Sequence, residues 1–163
     1  MYAVWEIQGL QSAVGELYSQ LEVVQTTATE QDHVVIFLVK STPTDFLLVP
    51  VNRTIHEKAS PLAALQALID GPLPHEDLHQ SVPATTRIIG LSVFDGLATV
   101  NFSRELMQDF NGGSQLEAHL IHAVVNTLTE FPEIDRVEIL IDGKKVDSIG
   151  GHILIEGPLK REV

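Results

Sequence analysis

Cysteine is absent from the chain's 163 residues, which excludes disulfides, thiolate nucleophiles and zinc sites built on sulfur. Long apolar runs are absent too: no stretch of about 18 apolar residues occurs, so no membrane-spanning helix is expected. Basic residues are scarce, with 10 lysines and arginines against 22 aspartates and glutamates and a formal charge of -12. That balance repels phosphate backbones and anionic bilayers, so neither nucleic acid nor an acidic lipid surface is expected as a partner. The opening residues MYAVWEIQGLQS place no basic residue ahead of an apolar core, and no signal peptide is expected within them.

What is present suits one compact domain with a terminal extension, since 44% of the residues are apolar and a chain of this length buries a substantial core. No lysine or arginine precedes Lys40, whereas Glu6, Glu16, Glu22, Glu30 and Asp32 all do. Within that stretch Ala3, Ile7, Leu10, Val14, Leu17, Leu21 and Val24 alternate spacings of 4 and 3, the seam of an amphipathic helix. Residues 1–30 therefore read as an N-terminal helix and linker, and residues 31–163 as an α/β domain. Gly9 and Gly15 each cost about 1 kcal/mol against alanine inside a helix, so this helix needs a surface to lean on. Ile7, Leu10, Val14, Leu17 and Leu21 are the candidate association surface, facing another copy or a partner helix. The alternative is that the helix packs on its own sheet.

From residue 34 the run VVIFLVK predicts a strand buried on both faces. A turn at STPTD follows, and FLLVPVNR reads as the hairpin partner, with Pro50 placing it at a sheet edge or bulge. Ser60 and Pro61 stand where N-cap and N1 belong, and Gly71-Pro72 supplies the stop, so a helix is predicted over 61–70 with Leu62, Leu65, Leu68 and Ile69 on one face. Asp95-Gly96 predicts a two-residue type I′ turn. Its register opposes Val93 to Ala98, Leu91 to Val100 and Ile89 to Phe102 on an apolar face, and Ser92 to Thr99 and Gly90 to Asn101 on the other.

Ser114 with Glu117 resembles a capping box, opening a long helix that ends where Phe131 meets Pro132. Val137, Ile139 and Ile141 then alternate along a strand leading to a second Asp-Gly turn at Asp142-Gly143, and GHILIEGPLKREV is read as a short closing strand with a polar tail. The fold class is α+β, a two-layer arrangement in which a mostly hairpin-built sheet is covered by two helices, with the N-terminal helix added.

One stretch invites a catalytic reading. His75, Glu76 and His79 spell H-E-x-x-H, the pattern by which zinc proteases bring two histidines onto one metal and use the glutamate to polarise water. That chemistry needs a long helix, but the stretch lies between Pro74 and Pro83 with Leu78 as its sole apolar residue, and no downstream histidine follows at ligand spacing. A loop is the expectation, with no metal or cofactor. His119, His122 and Asn126 fall opposite the apolar arc of the long helix and read as exposed. Lys144-Lys145 and Lys160-Arg161 read as a solvated turn and tail. Asp95 and Asp142 are explained by their turns without any acid-base pairing. The sequons at Asn52 and Asn101 lie in or beside strands and are discounted.

The blocks LLVPVNRTI, SPLAALQALIDGP, SVPATTRIIGLSVFDGLATVNFSRELM and SQLEAHLIHAVVNTLTEFPEIDRVEILIDGKKV resemble, in order and spacing, the GerMN domain of bacterial sporulation and spore-germination proteins. The resemblance covers about residues 34–160 and leaves the N-terminal seam outside. It implies a small α/β fold similar to ring-building modules of secretion-like assemblies, an extracytoplasmic place in the bacterial cell envelope, and relatives that are often lipoproteins. It brings no catalytic residues to carry over. The chain departs from the commonest form in having no lipobox cysteine and a single copy of the domain. The expectation is a non-enzymatic envelope module that assembles with itself, another envelope protein or the cell-wall polymer. The alternative is a metal-dependent hydrolase using the HEDLH stretch at 75–79.

Overall fold

The computed structural model describes residues 31–162, in which two sheets and three helices form a mixed α+β unit. Strand β1 (Asp32–Ser41) pairs antiparallel with β2 (Phe46–Ile55) along its whole length, from Asp32 opposite Ile55 to Ser41 opposite Phe46. Its side chains are buried on both faces as the apolar run predicts: Val34, Ile36 and Leu38 on one, Phe37 and Val39 on the other. Pro50 sits in β2, which has no second neighbour among the described strands; a missing N–H is tolerated there because no ladder bond is lost on the outer side.

Helix α1 (Pro61–Asp70) occupies the predicted residues. Extended Ser60 accepts a hydrogen bond from the Ala63 N–H at 3.1 Å, Pro61 opens the first turn, and Gly71 closes the helix at φ 78°, each residue doing what its backbone preferences allow. Leu65, Leu68 and Ile69 face the core, but Leu62 does not: it is 52% exposed. The predicted apolar face is thus one residue shorter than the sequence pattern.

In the second sheet β3 (Ile88–Phe94), β4 (Leu97–Phe102) and β5 (Arg136–Ile141) lie in that order. Asp95 at φ 48° and Gly96 at φ 78° form the expected turn, and the register holds from Phe94 opposite Leu97 to Gly90 opposite Asn101. There it slips, and Ile88 rather than Ile89 faces Phe102. The Ser103 hydroxyl accepts from Arg87 N–H and the Arg87 carbonyl accepts from Ser103 N–H, both at 2.9 Å. Holding Arg87 there places one extra residue in β3, a bulge that turns Ile89 outward. β5 runs parallel to β4, from Leu97 opposite Arg136 to Phe102 opposite Ile141, and parallel neighbours require a crossover. It is supplied by α2 (Glu105–Gln108) and α3 (Ser114–Thr129). Helix α3 lies against β1, β2, β5 and α1, so it joins two sheets that share no hydrogen-bonded strand.

Two expectations fail around α3. Gly113, not Ser114, is the N-cap, and no side chain caps the helix. Glu117 instead points inward, fully buried, where its carboxylate accepts from the N–H groups of Gly150 (2.9 Å), His152 (3.0 Å) and Ile153 (3.3 Å) and meets His152 Nδ1 at 2.8 Å. Gly150 has to be glycine for this approach: a Cβ there would stand 2.6 Å from Phe110 and 2.9 Å from the Glu117 carboxylate. The short closing strand expected within GHILIEGPLKREV is absent as well. That segment runs irregularly with Ile155 buried, as Ile149 is just before it, and Leu159 returns to the sheet, bonding Val137 in both directions at 2.7 and 2.8 Å.

Burial alone would raise the Glu117 pKa, but the hydrogen bonds from Gly150, His152 and Ile153 outweigh it and hold the carboxyl below its ordinary value. A folded-state value below the unfolded one contributes stability that is complete above the unfolded pKa and lost as pH falls through the folded one. Glu117→Gln is expected to cost about 2–4 kcal/mol at neutral pH in urea unfolding. The gap between variant and wild type should narrow below pH about 4.5; a gap independent of pH would show that the carboxylate charge does not hold the loop.

Candidate functional site

The HEDLH stretch is not helical. Residues 74–76 form a turn, and His79 is fixed at the edge of β1 through its backbone, donating to the Val39 carbonyl at 2.7 Å and accepting from Val39 N–H at 3.1 Å. His75 is exposed. Glu76 is neither solvated nor free: its Oε1 accepts from Arg53 Nη1 at 2.6 Å and from Leu73 N–H at 2.9 Å, with only 15% of its side chain exposed. The Arg53 hydrogen bond is the main reason its carboxyl lies below the usual range. Arg53 also donates to the Gly71 carbonyl at 3.3 Å, so the pair pins the loop after α1 to β2. The loop expectation holds, with a structural ion pair in it. Among the described residues no three or more histidines, aspartates or glutamates converge as metal ligands.

The other polar candidates are separated by the topology. Asp95 precedes β4 and Asp142 follows β5, and because those strands are parallel and in register the two carboxylates stand at opposite ends of the sheet, about 20 Å apart at strand rise. Asp142 is paired with Arg104 at 3.1 Å. His119 meets the Phe46 carbonyl at 2.8 Å, and His122 lies 3.7 Å from Glu162. Lys145 pairs with Glu138 at 3.0 Å, and Arg161 pairs with Glu130 at 2.7 Å while lying over the Phe37 ring at 5.3 Å. The Asn101 side chain accepts from Gly143 N–H at 2.7 Å. His119, Asp142, Lys145, Arg161 and Asn101 thus each meet a partner elsewhere in the fold.

Apolar surface is where the described residues have something unused. β3 is an edge strand without a single charged residue, and Ile89, Val93 and Phe94 on it are 55%, 40% and 83% exposed. Beside it, the outward Leu62 completes a shallow groove of about 330 Å³ between the start of α1 and the strand, lined by Ser60, Pro61, Leu62, Ile89, Leu91 and Val93. A second hollow of about 430 Å³ lies near the HEDLH loop, walled by Arg53, Ile55, His56, Gln66, Asp70 and Leu73. Exposed apolar residues of the first kind are features of contact surfaces and ligand-binding grooves. The sequence carried a signal for Phe94, a large apolar residue on the strand face it shares with Ser92 and Gly90, but none for the bulge that exposes Ile89. Ile7, Leu10, Val14, Leu17 and Leu21, the expected association surface, lie outside the described residues, as does the predicted N-terminal helix.

Residues 34–147 match the family Germane, described as sporulation and spore germination. A candidate lipoprotein of Clostridium perfringens is 23% identical with a TM-score of 0.59, over 80% of this chain and 87% of that one. The tandem GerMN domains of the sporulation protein GerM of Bacillus subtilis give a TM-score of 0.67 at 22% identity, over 82% of this chain and 47% of that one. The first GerMN domain of the same protein gives 0.61 at 24%, over 80% and 98%. At identities this low the likeness shows a shared fold and no more. No curated protein matches the chain.

The coupling of Arg53 to Glu76 is open to a double-mutant cycle. Glu76→Gln and Arg53→Met should each lower the unfolding free energy by about 1–2 kcal/mol, and the double variant by clearly less than the sum. Additive losses in urea unfolding would show that the ion pair does not hold the loop.

Proposed function

The chain belongs to the Germane family of sporulation and spore germination, and we propose that it is a non-enzymatic binding or assembly module of the bacterial cell envelope. The observation that carries this reading is the uncharged, apolar edge strand β3, with Phe94 83% exposed at its end, in a chain whose formal charge is -12. The partner is a second copy of the chain, another envelope protein or the cell-wall polymer. Ile7, Leu10, Val14, Leu17 and Leu21 form the second contact element in this reading, an apolar helical face able to dock in a groove. An extracytoplasmic place accords with the candidate lipoprotein among the structural neighbours. No helix among the described residues is long and apolar enough to cross a membrane.

The reading also accords with how the ionisable groups are used. General acid-base work needs a titratable group within reach of substrate and free to exchange its proton. Glu76 is held by Arg53, and Glu117 by three N–H groups and His152.

Light scattering across concentration tests the proposal. The full chain should gain mass as it is concentrated, and Phe94→Asp should shift that transition to at least roughly tenfold higher concentration, a loss of about 1.4 kcal/mol. A chain that stays monomeric throughout and retains neither an envelope protein nor wall fragments in pull-downs would sink the assembly reading.

A further inference from the structure

The described chain starts beside the groove. Asp32, the first residue of β1, accepts a hydrogen bond from Ala59 N–H at 2.6 Å, and Ala59 is followed by Ser60, Pro61 and Leu62, which form one wall of the groove. Residues 1–30 therefore join the domain at the rim of its exposed apolar hollow. As a helix Ile7 to Leu21 measures about 21 Å, long enough to span the part of β3 that lines the hollow, Ile88 to Val93, about 17 Å at strand rise. Charge favours the same match. Residues 1–30 hold Glu6, Glu16, Glu22 and Glu30 and no lysine or arginine, whereas exposed Lys58, beside exposed Glu57, and exposed Arg87 adjoin in sequence the segments that line the groove. Arg87 has one loose partner, Glu105 at 3.8 Å.

From this placement we propose that the seam Ile7, Leu10, Val14, Leu17 and Leu21 docks in cis on the groove between the start of α1 and β3 of its own domain. Tethering decides the source. A segment joined to the rim of its site by a short linker is present at an effective concentration of about millimolar, well above a second copy at micromolar concentration. Docking covers the apolar edge that would otherwise template pairing with other chains, and it supplies the surface that a helix weakened by Gly9 and Gly15 requires. A partner that uses the groove has first to displace the chain's own segment, while Phe94 at the far end of β3 lies outside the residues that line it. The association reading and this one are thus separable: a strictly monomeric protein defeats the first and leaves the second standing.

Hydrogen-deuterium exchange on the full chain, at a dilution where light scattering gives the monomer mass, provides the test. Amides of residues 7–21 should exchange at least roughly tenfold more slowly in the wild type than in the double variant Leu62→Asp with Ile89→Asp. Leu154→Asp, at a residue 74% exposed elsewhere, should leave them unchanged, and protection within α3 should be equal in all three proteins as the check on folding. Equal rates over 7–21 in the wild type and the groove variant overturn the proposal. So does protection that appears only with dimer formation and vanishes on dilution, which would assign the groove to a second copy.

Discussion

The carboxylate of Glu117 is the interaction on which the rest of the fold depends, because it lies where three otherwise separate parts meet. Helix α3 leans on β1 and β2 on one side and β5 on the other, and no strand hydrogen bond connects the two sheets. Beyond β5 the chain has no regular structure until Leu159 returns to Val137, so its N–H groups find few backbone partners of their own. A buried charge is costly unless its acceptor sites are filled. Here the N–H groups of Gly150, His152 and Ile153 and the ring of His152 fill them. The same contacts seat Ile149 and Ile155 in the core, which turns an irregular tail into the lid of the helix that bridges the sheets.

That centrepiece was misread in the sequence for a definite reason. A serine followed three residues later by a glutamate is the pattern of a capping box, and it is equally the pattern of a glutamate on the inner face of a helix. The phase of the helix separates the two: Glu117 precedes Leu120 by three residues and Ile121 by four, which puts it on the apolar stripe. Elements whose causes are local were legible, such as α1 with Ser60, Pro61 and Gly71, and the Asp95-Gly96 turn with most of its register. Elements set by distant partners were not. Arg53 lies 23 residues from Glu76, and the β3 bulge depends on Ser103 across the hairpin. The exposed apolar surface of the described residues was not legible: the outward turn of Leu62 and Ile89 follows from packing alone, and the N-terminal seam, which stands out by its spacing, lies outside the described residues.

The way the fold treats its sheet edges explains why β3 is the side to watch. An exposed edge strand is a template for pairing, and folded proteins blunt such edges with proline, charge, a bulge or a covering segment. β2 carries Pro50, which removes a donor. β1 is covered at Val39 by the backbone of His79, and the Ser81 hydroxyl donates to the Phe37 carbonyl at 2.9 Å. β5 is closed by Leu159 through two backbone bonds to Val137. Among the described strands β3 has the bulge at Ile89 and nothing more: its residues carry no charge and no proline, and three of its large side chains stand in solvent. Beyond the bulge, an edge with those properties is protected further against indiscriminate pairing where something with an apolar face covers it. The first described residues, Gln31 and Asp32, lie near that strand's groove, which is why a cover drawn from the same chain is the economical candidate for this edge.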